Sequence, residues 1–285
     1  MDARCARAQL DAPLIHPNWI WFRAQATLAI EQDRSLGPMS ALEPFGTGLS
    51  VAVFGASGGI GRALTDILQS DISVERVYAL SRTEPEGLGE KSTGIAFDML
   101  DEASIAEAAT VIAKAGPLHL AIIATGFLHD DTVGPEKRSQ DLNSKNMEHL
   151  FRINTIGPAL IAKHVFPLLA KDRRSVFAAL SARVGSISDN KLGGWHCYRA
   201  SKAALNMVIR TLSIEMAYRN QHSICVALHP GTVDTQLSEP FRGNLPAEKV
   251  FTPVDAATQL LEVMAGLSPK DTGGFFAWDG QKIPY

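Results

Sequence analysis

Leu49-Ser50-Val51-Ala52-Val53-Phe54-Gly55-Ala56-Ser57-Gly58-Gly59-Ile60-Gly61 is the stretch on which the reading of this chain turns. Val51, Val53 and Phe54 form a short β-branched and aromatic run, and Gly55, Gly58, Gly59 and Gly61 crowd its end. From Arg62 to Ser70 the apolar residues Ala63, Leu64, Ile67 and Leu68 return at helical spacing, so the glycines lie between a strand and a helix. Such a turn lets backbone approach a ligand closely, and the helix start behind it offers unpaired N–H groups and the positive end of a dipole. That combination suits a pyrophosphate; a glycine-rich turn that binds nothing is the alternative on this stretch alone. A phosphate-binding P-loop would end in Gly-Lys-Ser/Thr, which is absent.

Working outward, the 285 residues are 46% hydrophobic and 20% charged, with a net charge of −3. This is the composition of an ordinary globular protein of one large domain or two small ones. The charge gives no electrostatic footprint for nucleic acid or an anionic membrane. Cys5, Cys197 and Cys225 show no paired spacing, which argues against a disulfide framework or a metal site and suits a reducing, cytoplasmic setting. No apolar run is long enough to span a bilayer, and Asp2, Asp11, His16, Pro17 and Asn18 interrupt the apolar core a signal peptide needs.

Residues 1–48 do not read like the rest. Pro13, Pro17, Gly37, Pro38 and Pro44 break any period, so this segment is expected to be an N-terminal extension, poorly ordered or with one short helix around Phe22–Glu31. Met39 is an alternative start. Residues 49–285 alternate: strands are expected at Ser50–Phe54, Arg76–Leu80, Thr93–Phe97, Leu118–Ala124, Ser175–Ser181, Ile224–Leu228 and Gly274–Trp278. Helices are expected at Ile60–Gln69, Ala103–Ala115, Ser144–Leu169, Tyr198–Tyr218 and Pro253–Ala265. The alternation implies an α/β fold, a single doubly wound parallel sheet of about seven strands flanked by helices. Ligands bind such sheets at the carboxyl ends of the strands, so the residues just past each strand matter most.

Two helices carry polar residues on apolar stripes. In Ser144–Leu169 the stripe is Met147, Leu150, Phe151, Asn154, Pro158, Ile161, Val165 and Leu168, and Asn154 must find partners, at a kink near Gly157-Pro158 or beside a site. In Tyr198-Arg-Ala-Ser-Lys202 the tyrosine and lysine lie on one face, continued by Leu205, Val208, Ile209, Leu212 and Met216. A lysine there is costly without a partner. An ammonium beside a phenol would favour the phenolate and bring its pKa down from near 10, fitting the pair for proton transfer at a carbonyl oxygen.

Gly55, Gly59 and Gly61 as G-x-x-x-G-x-G, Tyr198-x-x-x-Lys202 and Pro230-Gly231-Thr232-Val233-Asp234-Thr235 together resemble the short-chain dehydrogenases/reductases, a family of Rossmann-fold enzymes. Phe54 stands where a Thr often precedes the first glycine. Gly185-Ser186-Ile187, Asp189-Asn190, Gly193-Gly194-Trp195 and Tyr198–Lys202 are most similar to the C-factor and sniffer-like carbonyl reductase branch.

The resemblance implies cofactor contacts at Gly55, Ser57, Gly59, Ile60 and Gly61. An acid about 20 residues past the glycines would favour NAD; Ser81 stands there, and Arg82 beside it could pair with the 2′-phosphate of NADP. Asp98 and Met99 would meet the adenine, although Asp98 could equally cap the helix near Asp101. Ile123-Ala124-Thr125-Gly126 stands where the family commonly has Asn-Asn-Ala-Gly, with Gly126 kept and both asparagines replaced; Ala124, Thr125 and Gly126 would lie near the adenosine ribose, and Pro230, Gly231, Val233 and Thr235 would flank the nicotinamide and pyrophosphate. Tyr198 would be the acid/base, Lys202 its pKa modifier and ribose ligand, and Asn154 part of a proton relay. For the substrate oxygen, the family serine falls three before Gly185, on Ala182; Ser181 is the expected oxyanion donor and Ser186 the reserve. Gln236–Ala247 reads as a substrate lid, and Phe127, Leu192, Trp195, His196 and Cys197 as pocket wall. The implied function is hydride transfer between NADP(H) and a small carbonyl or alcohol, in a homodimer or homotetramer; the alternative is a dinucleotide-binding regulatory protein with little turnover.

Overall fold

The computed structural model describes residues 40–241, 246 and 249–285. The expected helix around Phe22–Glu31, the alternative start at Met39 and most of the far half of the expected lid lie outside them.

The runs of apolar residues become a seven-stranded sheet in which every neighbouring pair is parallel. Its strands are β1 (Leu49–Phe54), β2 (Val74–Ser81), β3 (Ser92–Ala96), β4 (Leu120–Ile123), β5 (Ser175–Leu180), β6 (Ser223–His229) and β9 (Phe275–Ala277), in the order β3-β2-β1-β4-β5-β6-β9. All seven expected strands are present, with ends moved by at most two residues. Two further strands, β7 (Thr232–Val233) and β8 (Val250–Phe251), form a small parallel pair not expected from sequence.

Period-two alternation sorts the sheet's side chains onto two faces. Ala52, Phe54, Leu80, Ile123, Phe177 and Ala179 pack beneath α2 (Glu102–Ala113), α4 (Gly157–Val165) and α5 (His196–Arg219). Val51, Val53, Val77, Ile122, Val176 and Ala178 pack beneath α1 (Gly59–Ser70) and α6 (Pro253–Gly266). The second cluster also takes in Leu42 and Phe45, with the Arg174 guanidinium 4.0 Å over the Phe45 ring. The compact unit therefore includes the segment from Ser40 onward, and the expected boundary at residue 48 is corrected: these side chains bury too much apolar surface to belong to an extension.

The expected helix Ser144–Leu169 is interrupted. α3 (Ser144–Phe151) passes into a π-helical turn at Arg152–Ile156 before α4, and a 3₁₀ turn follows at Phe166–Leu168. Pro158 has no N–H to give the carbonyl of Asn154, four residues earlier, and the backbone widens instead, with Gly157 N–H reaching Arg152 O. The inward stripe begins only at Leu150, since Met147 is exposed. Asp101, not Asp98, caps α2, accepting from Ala103 N–H at 3.0 Å.

Between β1 and α1 the chain is packed backbone on backbone. Gly55 has φ +93°, and a Cβ on Gly61 would collide with the Gly55 carbonyl, so neither position accepts a side chain. Gly61→Ala is expected to lower the unfolding free energy by about 1–3 kcal/mol through overpacking. Gly134→Ala, which meets nothing within 4 Å, should stay within about 0.5 kcal/mol of wild type. Urea melts of the two variants check this, and equal stabilities would show that the turn is not packed as described.

Candidate active site

In a sheet of this order the crossovers leave β1 and β4 for opposite faces, opening a crevice at their carboxyl ends. Two clefts share the glycine turn there. The first is lined by Gly55, Ser57, Arg82, Asp98, Met99, Ala124, Thr125, Gly126 and Phe127. The second is lined by Ile60, Ser181, Ala182, Arg183, Trp195, Tyr198, His229, Pro230, Gly231, Val233 and Thr235. It encloses about 360 Å³, within the range of small-molecule sites. The two are joined where Thr235 packs on the turn: a Cβ on Gly59 would lie 2.7 Å from Thr235 Cγ2.

The first cleft has the features of a nucleoside site. Thr125 Oγ1 is buried without a hydrogen-bond partner. Arg82 is exposed at the wall, next to a Ser81 hydroxyl spent on Thr83 O at 2.6 Å. Asp98 turns one carboxylate oxygen onto Leu100 N–H, 2.9 Å away, and so shapes the loop after β3.

Tyr198 and Lys202 stand one turn apart in α5, both buried. Lys202 Nζ donates to Leu180 O at 2.9 Å and lies 5.9 Å from the centre of the Tyr198 ring. Burial pushes the Lys202 ammonium down to about 8 and the Tyr198 phenol up. The expected lowering of the phenol by its neighbour is therefore not met: desolvation governs both groups. Gly185 admits this packing, since a Cβ there would come within 2.8 Å of Lys202 Cβ.

Asn154 is wholly buried and fully engaged. It accepts from Phe127 N–H and donates to Phe127 O, both at 2.8 Å, and donates to Ser201 Oγ at 3.0 Å. Ser201 Oγ in turn donates to Tyr198 O, and Thr155 Oγ1 to Ser201 O, each at 2.8 Å. The side chain thus ties the loop after β4 to the helix that carries Tyr198 and Lys202. Asn154 lies in the π turn just before Gly157-Pro158, where the kink was expected.

The serine expectation needs correction. Ser181 does line the second cleft and Ser186 does not, its hydroxyl accepting from Asp189 N–H instead. The Ser181 hydroxyl, however, donates inward to Asn206 Oδ1 at 2.7 Å, and Ala182 has no hydroxyl to offer. The pairing follows from register, since β5 ends at Leu180 and α5 passes beside it. Asn206 and Ser201 were missed by sequence reading, although both fall on the stripe of Tyr198 and Lys202. Glu136 was also missed: its carboxylate accepts from Cys197 N–H at 3.1 Å at the start of α5, a contact from a distant loop that no local pattern signals.

The expected pocket wall is only partly assembled. Phe127 lies in the first cleft and Trp195 in the second. Cys197 is instead sealed in a small cluster with Leu128, Leu150 and Tyr198, its thiol pushed up to about 12 by burial and Glu136. Neither it nor His196 faces the cleft, and Leu192 is 92% exposed.

The chain is similar to several known proteins. The C-signal protein of Myxococcus xanthus is 34% identical over 145 residues, which span 51% of this chain and 82% of that protein. The 1-hydroxy-2-glutathionyl-2-methyl-3-butene dehydrogenase of a Rhodococcus species is 33% identical over 184 residues, 64% of this chain and 76% of that one. Among solved structures, the NADPH-bound carbonyl reductase from chicken fatty liver shares 29% identity with a TM-score of 0.72, covering 84% of this chain and 100% of that chain. The profile of the short chain dehydrogenases matches residues 50–245, more than half of the sequence, and with its glycine turn and Tyr198–Lys202 pair the chain belongs to that family.

Proposed function

We propose that this chain is an NADP(H)-dependent reductase of small carbonyl compounds, or an alcohol dehydrogenase in the reverse direction. The observation that carries the reading is a buried lysine one turn from a buried tyrosine at the mouth of a cleft that continues into a nucleoside groove. The residues fit a dinucleotide: the glycines at 55, 58, 59 and 61 leave backbone open to a pyrophosphate, and Thr125 Oγ1 is buried without a partner. Arg82, with no acid at Ser81, supports a 2′-phosphate and hence NADP. When bound, NADPH supplies the hydride.

The chain's own residues would supply the proton. Burial keeps the Tyr198 phenol protonated at neutral pH, ready to donate to the carbonyl oxygen as charge develops there. The Lys202 ammonium would then stabilise the phenolate and reach the nicotinamide ribose, and Asn154 would hold the relay that returns the proton. Pro230, Gly231 and Val233 would back the nicotinamide, and Asp98 and Met99 the adenine. Homo-oligomer formation is supported by the exposed apolar stripe Met207, Ile214 and Tyr218 on α5.

A second reading is favoured by one observation. With Ala182 lacking a hydroxyl and Ser181 bonded to Asn206, the usual serine contact to substrate is absent, which would suit a dinucleotide-binding regulatory protein with little turnover. Calorimetry with NADPH and NADH, followed by NADPH oxidation against aldehydes, ketones and quinones, separates the two. Tyr198→Phe is expected to lower kcat by about 10²–10⁴-fold. Tight NADPH binding without turnover on any carbonyl would favour the regulatory reading instead, and no binding would exclude both.

Two more outcomes are expected. Arg82→Asp should weaken NADPH binding relative to NADH by at least about tenfold, the worth of roughly 1.4 kcal/mol; an unchanged ratio would remove Arg82 from the phosphate site. Because the Lys202 group is charged below about 8 and neutral above, kcat/KM for reduction should be level at lower pH and fall as pH rises through about 8. A profile level to pH 10 would mean that Lys202 stays charged or is not required.

A further inference from the structure

His229 ends β6, one position beyond Leu228, which is paired with Leu180 of β5. Ser181 N–H donates to Leu228 O at 2.7 Å, so His229 and Ser181 lie side by side at the strand ends and both line the second cleft with Tyr198. The cleft's other hydroxyl groups are largely committed. Ser181 donates to Asn206, while Ser238 and Thr235 both turn to Val233 O. Ala182 has none.

The imidazole is the exception. Its Nδ1 is sealed from solvent and has no hydrogen-bond partner. Burial and the nearby Arg183 guanidinium push the imidazolium down to about 4, so the ring is neutral at physiological pH and carries one N–H. A proton on the sealed Nδ1 would be a buried donor with nothing to receive it, which is the more costly arrangement. The proton therefore belongs on Nε2, the nitrogen left for the cleft.

Building on the reductase reading, we propose that His229 is a catalytic residue, its Nε2–H donating a hydrogen bond to the substrate's carbonyl oxygen opposite the Tyr198 hydroxyl, in place of the serine hydroxyl this chain does not present. Developing negative charge on that oxygen would then be met by two donors from two elements, one on a rigid strand end and one on α5.

The test uses the full chain with NADPH and 4-nitrobenzaldehyde as probe. His229→Ala is expected to lower kcat by about 10²–10³-fold, the usual loss of one oxyanion donor, with the NADPH Kd within about twofold. His229→Gln, which keeps an N–H donor, should recover at least about tenfold of that loss, and Ala182→Ser in the His229→Ala background should recover a similar share. Thr232→Val, which removes the remaining cleft hydroxyl, should cost at least about tenfold less in kcat than His229→Ala. The proposal is overturned if His229→Ala keeps kcat within threefold of wild type, if it weakens NADPH binding as much as it lowers kcat, or if Ser181→Ala costs as much. Should the wild-type protein bind NADPH but not reduce the probe, the reductase reading fails separately. The donor is then read by ¹⁵N-histidine NMR of the NADP-loaded protein: an Nε2–H tautomer that shifts on adding the non-reducible 4-nitrobenzamide supports the assignment, and an Nδ1–H tautomer or no shift overturns it.

Discussion

A buried cation is the constraint around which the site is arranged. Lys202 is 3% exposed, and an ammonium so placed persists only where its donors are answered. Its bond to Leu180 O fixes the height of α5 against the end of β5, and that contact requires Gly185 to have no side chain. Once α5 is set, the position of Tyr198 follows, because residues four apart on a helix share a face. Gly126 is drawn in as well: a Cβ there would lie 3.6 Å from Lys202 Nζ and 3.7 Å from Asn154 Oδ1. Helix α5, two strand ends and the loop after β4 are thus held to one another by a single desolvated group and its neighbours.

The second fixed point is the contact of Gly61 with Gly55. Here the absence of side chains lets the first turn of α1 sit directly on the end of β1, which aims its free N–H groups into the crevice. The same absence lets Thr235 lie against Gly59, so the segment after β6 closes over the turn and joins the two clefts. Gly231, with φ +79° and no room beside the Phe251 ring, turns the chain into that segment. The geometry where the two clefts meet is therefore mostly a matter of where backbone is allowed to approach backbone.

Asn154 links these two regions. The missing amide of Pro158 releases its carbonyl from ordinary helical bonding, and the resulting π turn presents the side chain to Phe127 and Ser201 at once. A polar residue on an apolar stripe is thereby neither a defect nor an isolated functional group. It is the cross-brace between the loop after β4 and α5, and each of its bonds is made in a dry environment where losing one would be costly.

Much of this was legible from local pattern. The glycine spacing, the alternation of apolar runs with helical stripes and the Tyr198–Lys202 interval all lie within short windows, and periods of two and 3.6 residues are properties of the chain itself. The sequence by itself determined the doubly wound sheet, its seven strands, the glycine turn between strand and helix, and the shared helical face of Tyr198 and Lys202. It could not place Leu42 and Phe45 in the core, divide the long helix, or say where each hydroxyl points. Those depend on partners far along the chain: Ser181 on Asn206, Asn154 on Phe127, Cys197 on Glu136, His229 on the strand beside it. Hydrogen-bond direction and desolvation belong to the assembled interior, where they are set by which groups remain after the backbone has packed, and only the tertiary structure decides that.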